Sequence, residues 1–228
     1  MLLEGKISDE VRFTGLTTFV NPYSYLKLYK KNELLESFDN IHADGILMAR
    51  AASNYQKKNI KRRSFDFSSV APLVFENAVN NNLSIFLIGT TQENIELAVG
   101  KLSLFYDGIN ICGFRNGFFL NDSELDQCLK NICELKPDIV IAGMGAIIQE
   151  SFLIKLAELE WKGAGYTCGG FFHQIAKRDL VYYPSFFDRY NLRWLYRIID
   201  EPKLLKRYLW YYPVFIVIIF SHVYFKIE

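Results

Sequence analysis

Six short apolar runs, most of them closing on a glycine or a small polar turn, set the strongest limit on what this chain can fold into. They read LTTFV, IHADGILM, LSIFLIG, INICGF, DIVIAGMG and WKGAGYT. Most of the segments between them carry apolar residues at helical spacing instead, and this alternation implies βαβ units on a parallel sheet. In TQENIELAVGKLSLFY, the residues Ile95, Leu97, Ala98, Leu102 and Phe105 mark one helix that starts near Thr91 or Gln92. In NDSELDQCLKNICELKP, Asn121 or Asp122 is the expected N-cap, Leu125, Cys128, Leu129 and Ile132 face inward, and Pro137 closes the helix. The expected fold class is α/β: a Rossmann-like, mostly parallel sheet flanked by helices over residues 1–190, with a C-terminal helical appendage over 191–228. The boundary falls near Tyr190, where Arg and Trp replace the βα rhythm. No internal repeat, low-complexity tract or Pro/Ser-rich linker interrupts the chain.

Composition narrows the function classes. With 228 residues, 50% hydrophobic and 22% charged, the chain suits one globular body with a small appendage. A net charge of +1 argues against a broad nucleic-acid surface, so no nucleic-acid partner is expected. The four cysteines form no CxxC pair and have no histidine at ligand spacing, which reads as reduced thiols. There is no Asp-x-Asp motif either, and no metal is expected. His42 and His173 read as structural. The first residues carry charges and no long apolar stretch, unlike a secretory signal.

The C-terminus has another character. From Tyr208 to Phe225, YLWYYPVFIVIIFSHVYF has no formally charged side chain over 18 residues, at the lower edge of bilayer-spanning length. Lys203, Lys206 and Arg207 precede it, which would hold that flank at the cytoplasmic headgroups. A membrane-embedded or interfacial tail is favoured by Pro213 and the Trp/Tyr cluster. The alternative is a terminal helix docked on the body.

In an open parallel sheet, ligands bind outside the carboxyl ends of the strands. Those ends hold Asn21, Asp44 with Gly45, Gly89 with Thr90, Asn116 with Gly117, Gly143 and Gly145 leading to Gln149 and Glu150, and Gly165 with Thr167. Glycines let a phosphate or sugar approach the backbone, and the helix N-termini that follow offer N–H groups to an anion. The set suits a nucleotide diphosphate. The chain lacks both the P-loop lysine and the GxGxxG fingerprint, which disfavours ATPase and hydride-transfer chemistry.

The pieces FVNPYSYL, ADGILMARA, KRRSFDFSS, IFLIGTTQENIELAV, GFRNGFF, DIVIAGMGAIIQE, GAGYTCGGFFHQIA and LRWLYRIIDEPKLLKRY, in this order, resemble the WecG/TagA/CpsF family of bacterial glycosyltransferases. The resemblance implies an inverting transfer of a sugar, often an N-acetylmannosamine derivative, from a UDP-sugar to a polyprenyl-diphosphate-linked saccharide at the inner membrane face. It implies a place in cell-surface polysaccharide or wall teichoic acid synthesis. By the same resemblance, Asp44 is the general base, Gln149 is a polar group directed into the pocket, and Arg197 and Arg207 close over the leaving diphosphate. Arg62 belongs to the pocket wall and Asp66 to the substrate-binding set. The sequence departs from the family pattern at Ile147 and Ile148, in place of proline and lysine, at Phe19, at Gly169 and at Leu204. These changes fall where sugar substituents would be read. A non-catalytic nucleotide-sugar-binding subunit that tethers an assembly complex is the alternative, and a hydrolase or epimerase is weaker. A homo-oligomer is left open.

Overall fold

The computed structural model describes residues 6–178, 184–190 and 192–225. Its sheet has six strands, all parallel, in the order β2-β1-β6-β5-β3-β4. The strands are β1 (Leu16–Val20), β2 (Asn40–Ala43), β3 (Ser84–Gly89), β4 (Asn110–Arg115), β5 (Ile139–Gly143) and β6 (Ala164–Thr167). The helices of the body are α1 (Pro22–Leu28), α2 (Asn32–Glu36), α3 (Ile46–Gln56), α4 (Val70–Asn80), α5 (Gln92–Phe105), α6 (Asp122–Leu135), α7 (Ile148–Glu158) and α8 (Phe171–Lys177). After them come α9 (Ser185–Arg189), α10 (Arg193–Asp200) and α11 (Leu205–Phe225). This is the α/β architecture expected from the alternating runs.

Local chemistry explains the boundaries. Thr91 caps α5 by accepting from the Asn94 N–H, and Asn121 caps α6 by accepting from the Glu124 N–H at 3.0 Å. The run IHADGILM behaves differently from a single strand. Only Asn40–Ala43 is extended, because Gly45 turns the chain at φ 87 and α3 begins at Ile46. That break leaves Asp44 in the turn at the tip of β2.

Helices cover both faces of the sheet. On one face Tyr25, Leu28, Leu35, Met48, Leu129 and Phe152 close a core from α1, α2, α3, α6 and α7. On the other, Val74, Phe75, Ile95, Leu102, Phe171 and Phe172 do so from α4, α5 and α8. The chain therefore leaves β3 over one face and β5 over the other. These two strands are neighbours, so the crossover direction reverses between their tips and a crevice opens there.

The tail belongs to the body's core in part. α11 runs along α1, with Phe215 only 1% exposed and its ring edge-on to Tyr25 at 5.3 Å, while Tyr211 meets Tyr23 at 4.8 Å. Among the described residues no helix is long and apolar enough to cross a membrane. The spanning reading of the tail gives way to a docked helix, because one side of the run is used for packing. Phe215→Ala is expected to lower folding stability by roughly 3 kcal/mol, as for other large-to-small core changes. Urea denaturation of the purified chain measures it, and an unchanged midpoint would remove Phe215 from the core.

Candidate active site

The carboxyl ends of β2, β1, β6, β5 and β3 lie side by side, in register at Ala43 with Val20, Ala142 with Thr167, and Gly89 with Gly143. At ordinary strand spacing, the distance from the tip of β2 to that of β5 is roughly 15 Å. A sugar and a diphosphate fit along such an edge.

The expected glycines divide into two kinds. Gly89 and Gly143 pack against each other; a Cβ on Gly89 would stand 2.4 Å from the Gly143 carbonyl oxygen. Gly117 is pressed against Met144 and Gly89, and Gly165 against Leu16. Their role is close packing. Gly45 and Gly145, at φ 87 and 86, have nothing within 4 Å of where a Cβ would stand, so they leave open space beside the backbone.

Asp44 is held from both sides. Its N–H donates to the Val20 carbonyl at 2.9 Å, and its carboxylate accepts from the Asn21 side-chain amide at 3.3 Å. The Asn21 amide is itself oriented as the N-cap of α1: its oxygen accepts from the Ser24 N–H at 3.0 Å, which turns its NH2 toward Asp44. Asp44 keeps some accessible surface, but burial of the carboxyl raises its pKa above the ordinary 3.8. Arg62, Asn21 and Arg197 oppose that shift, and Asp66 adds to it. Two hydroxyls absent from the sequence-based site also lie in this field. Burial pushes Tyr212 and Tyr208 of α11 above the usual tyrosine range, and Asp44 pushes both further. Their i, i+4 spacing on a helix was the available signal, hidden within an aromatic-rich tail.

Gln149 and Glu150 sit behind the crevice wall rather than on its surface. Glu150 is fully buried and accepts from the Ile147 N–H at 2.6 Å, the Gln149 amide at 2.9 Å and the Thr18 hydroxyl at 3.2 Å. Burial raises its pKa against those bonds. The Gln149 oxygen accepts from the Gly169 N–H at 3.1 Å, which anchors the turn after β6. Thr167 joins Thr18 at 3.0 Å. Ile147 stands at φ 79, an uncommon conformation for a β-branched residue. A proline there could neither adopt that angle nor donate to Glu150, so this turn needs a residue with a free N–H.

The remaining predicted residues lie around the rim. Asn116 receives the Phe118 N–H at 3.0 Å and donates to Gln92 at 3.2 Å, bracing the loop after β4. Asp66 gathers Ser64 at 2.6 Å, the Ser68 N–H at 2.9 Å and Arg193 at 3.0 Å, with Arg62 at 3.7 Å. Arg197 lies 3.7 Å from Glu201, and its guanidinium would stand 3.3 Å from a Cβ on Gly170. Arg207 is exposed and stacks over the Tyr23 ring at 4.5 Å. Asp44, Asn21, Arg62, Asp66 and Arg197 are thus brought together, while Arg207 stands on the outer flank. His42 bonds the Ser8 carbonyl at 2.7 Å and His173 meets Asn94 at 3.2 Å, both within the scaffold. Among the described residues no group of three or more His, Cys, Asp or Glu is arranged to hold a metal ion.

Residues 4–227 match the model of the glycosyl transferase WecG/TagA/CpsF family. The chain belongs to that family. Among its relatives, a protein of Shigella boydii named UDP-Gal:alpha-D-GlcNAc-diphosphoundecaprenol beta-1,4-galactosyltransferase is 39% identical over 212 residues, covering 93% of this chain and 88% of the relative. An N-acetylglucosaminyldiphosphoundecaprenol N-acetyl-beta-D-mannosaminyltransferase of Bacillus subtilis (strain 168) is 31% identical over 78% of this chain and 67% of its own length. A protein of the same name from Bacillus spizizenii is 25% identical over 83% and 71%. As a WecG/TagA/CpsF member the chain is a glycosyltransferase, and the tethering-subunit alternative finds no counterpart in these relatives.

The raised pKa of Asp44 carries a stability consequence. A carboxyl that binds its proton more tightly in the fold than in the unfolded chain opposes folding at every pH above the raised value. That cost fades as pH falls through the raised value toward 3.8. Asp44→Asn is therefore expected to be more stable than the wild type at pH 7, with the difference closing below pH ~4. Denaturation curves at both pH values test it; equal stability throughout would mean that the carboxyl is not desolvated.

Proposed function

We propose that the chain transfers a hexose from a UDP-sugar to an undecaprenyl-diphosphate-linked N-acetylglucosamine, with inversion at the anomeric carbon. The observation that carries this reading is Asp44: a desolvated carboxylate at the crevice mouth, oriented by Asn21 and flanked by Arg62 and Arg197. UDP-galactose is the donor we favour over a UDP-N-acetylhexosamine, because the relative named for it shares 39% identity over 93% of the chain.

In this reading Asp44 takes the proton from the acceptor hydroxyl. The oxygen then attacks the anomeric carbon from the face opposite the diphosphate, and the bond to UDP breaks with its electron pair leaving on the phosphate. Arg197 neutralises that departing charge, while Arg207, stacked on Tyr23 at the outer flank, stands apart from it. Gly45 and Gly145 give the substrate room beside the backbone. Gln149 and Glu150 shape the wall through the turns they hold.

A panel of UDP-sugars incubated with a short polyprenyl-diphosphate-N-acetylglucosamine acceptor tests the reading. Acceptor-dependent UDP release, largest with UDP-galactose, is expected. Asp44→Asn should cut turnover by roughly a hundredfold to ten-thousandfold while donor affinity stays close to wild type. The acid limb of the wild-type profile should lie above pH 3.8, since the base works only when deprotonated. UDP release that ignores the acceptor, or a fully active Asp44→Asn, would sink the assignment.

A lipid-linked acceptor requires an approach to the membrane, and we assign it to the outward face of α11. Trp210 is 73% and Val217 67% exposed, with Leu209, Val214 and Ile216 beside them and Lys206 and Arg207 at the start of the helix. This face suits a helix lying in the interface of the cytoplasmic leaflet. Truncation after Tyr208 would also strip Phe215 from the core, so the informative variant is Trp210→Ser with Val217→Ser. It should stay folded and lose most flotation with anionic liposomes; undiminished flotation would place the contact elsewhere.

A further inference from the structure

The appendage is tied to the body at a point that the proposed chemistry does not use directly. Asp66 lies in the loop between α3 and α4, whose path is fixed to the tip of β2 by the Arg63 N–H donating to the Ala43 carbonyl at 2.9 Å. One oxygen of Asp66 accepts from Ser68 N–H at 2.9 Å. The other accepts from Ser64 at 2.6 Å and from Arg193 at 3.0 Å. Arg193 is the first residue of α10, 127 positions away along the chain.

The Asp66 and Arg193 side chains are 14% and 13% exposed, so solvent screens this pair far less than an open surface bridge. Removing Arg193 leaves Asp66 with Arg62 at 3.7 Å, a partner from its own loop that does not reach α10. At its other end α10 is held by Asp200 with Arg178 at 2.9 Å, where the carboxylate is 10% but the arginine 48% exposed. Of these two described ion pairs, the one with both partners shielded is at the start of the helix. Arg197 stands four residues on from Arg193, on the same side of the helix, so the seat of Arg193 sets where the Arg197 guanidinium points. Asp44 lies within the field of both Arg197 and Asp66.

We propose that the Asp66–Arg193 pair is a latch: Asp66 and Arg193 are positioning residues that seat α10 on the body and so place Arg197 beside Asp44. The catalytic half of this statement rests on the proposed transfer; the structural half does not. The separation of α10 from the body then controls whether the crevice carries its cation. A body without the latch still folds and still presents Asp44, but the guanidinium over the leaving group is no longer held.

Two readouts decide it. Amide hydrogen exchange across residues 193–200, measured on the full chain without substrate, should quicken at least tenfold in Arg193→Met and in Asp66→Asn, with β1, β5 and β6 unchanged. Arg193→Lys should fall between them and the wild type. In the transfer assay Arg193→Met should lower kcat by roughly tenfold, the scale of one charge-assisted contact, with a smaller change in KM. Because Arg193 acts through Arg197, the same substitution should cost little more in an Arg197→Ala background. Unchanged exchange in Arg193→Met overturns the latch. A full tenfold loss in the Arg197→Ala background overturns its link to Arg197. If the wild type transfers no sugar from any donor, the transfer reading fails, and the exchange measurement still decides the latch.

Discussion

The buried carboxylate of Glu150 is the tie on which the rest of the crevice depends. It has no exposure to water, so every acceptor site it offers has to be met by the protein. Thr18 meets it from β1, Ile147 from the turn after β5, and Gln149 from α7. Through Gln149 the tie extends to Gly169, and through Thr18 to Thr167 of β6. Three central strands and two of their turns are thus held by one carboxyl group and its partners. Loss of any one partner leaves a Glu150 oxygen with an unmet bond in a site that water does not reach. The unusual φ of Ile147 is tolerated because its N–H is held at 2.6 Å by this same carboxylate.

On the far side from that wall, the tip of β2 carries Asp44, the base of the proposed transfer. Asp44 is desolvated by its surroundings, yet Asn21, Arg62 and Arg197 limit how far its pKa rises. The balance suits a base that must be ionised when substrate arrives and basic enough to take a proton. Two of the opposing groups come from loops of the body, and one comes from α10. In the proposed transfer, the site is complete only when α10 is seated. The tail contributes again through Tyr208 and Tyr212, which share the field of Asp44 while the next turn of α11 buries Phe215 against α1. Its opposite face remains apolar and exposed, so one helix serves the crevice, the core and an outward surface.

Much of this was legible in the sequence. The six apolar runs lie on the six strands, and Thr91 and Asn121 cap α5 and α6, because strand periodicity and capping are local properties. Asp44 and Asn21 were legible too, since a polar residue at the end of an apolar run falls at a strand tip wherever the fold is α/β. Less legible was the work of each glycine. Gly89 and Gly143 are spaced like ligand-facing turns but pack on each other, while Gly45 and Gly145 stand beside open space.

By itself the sequence determined the class of fold and the strand ends at which Asn21 and Asp44 fall, both of which follow from patterns a few residues long. Only the tertiary structure decided which polar groups turn inward. The Gln149 oxygen is taken by Gly169 and Asp66 by Arg193, and the apolar ring of Phe215 is covered by Tyr25; each of these partners comes from a distant part of the chain. Strand order brought β5 next to β3 and β1 next to β6, and with them the residues that meet across those tips. A side chain's exposure depends on neighbours that no local spacing names.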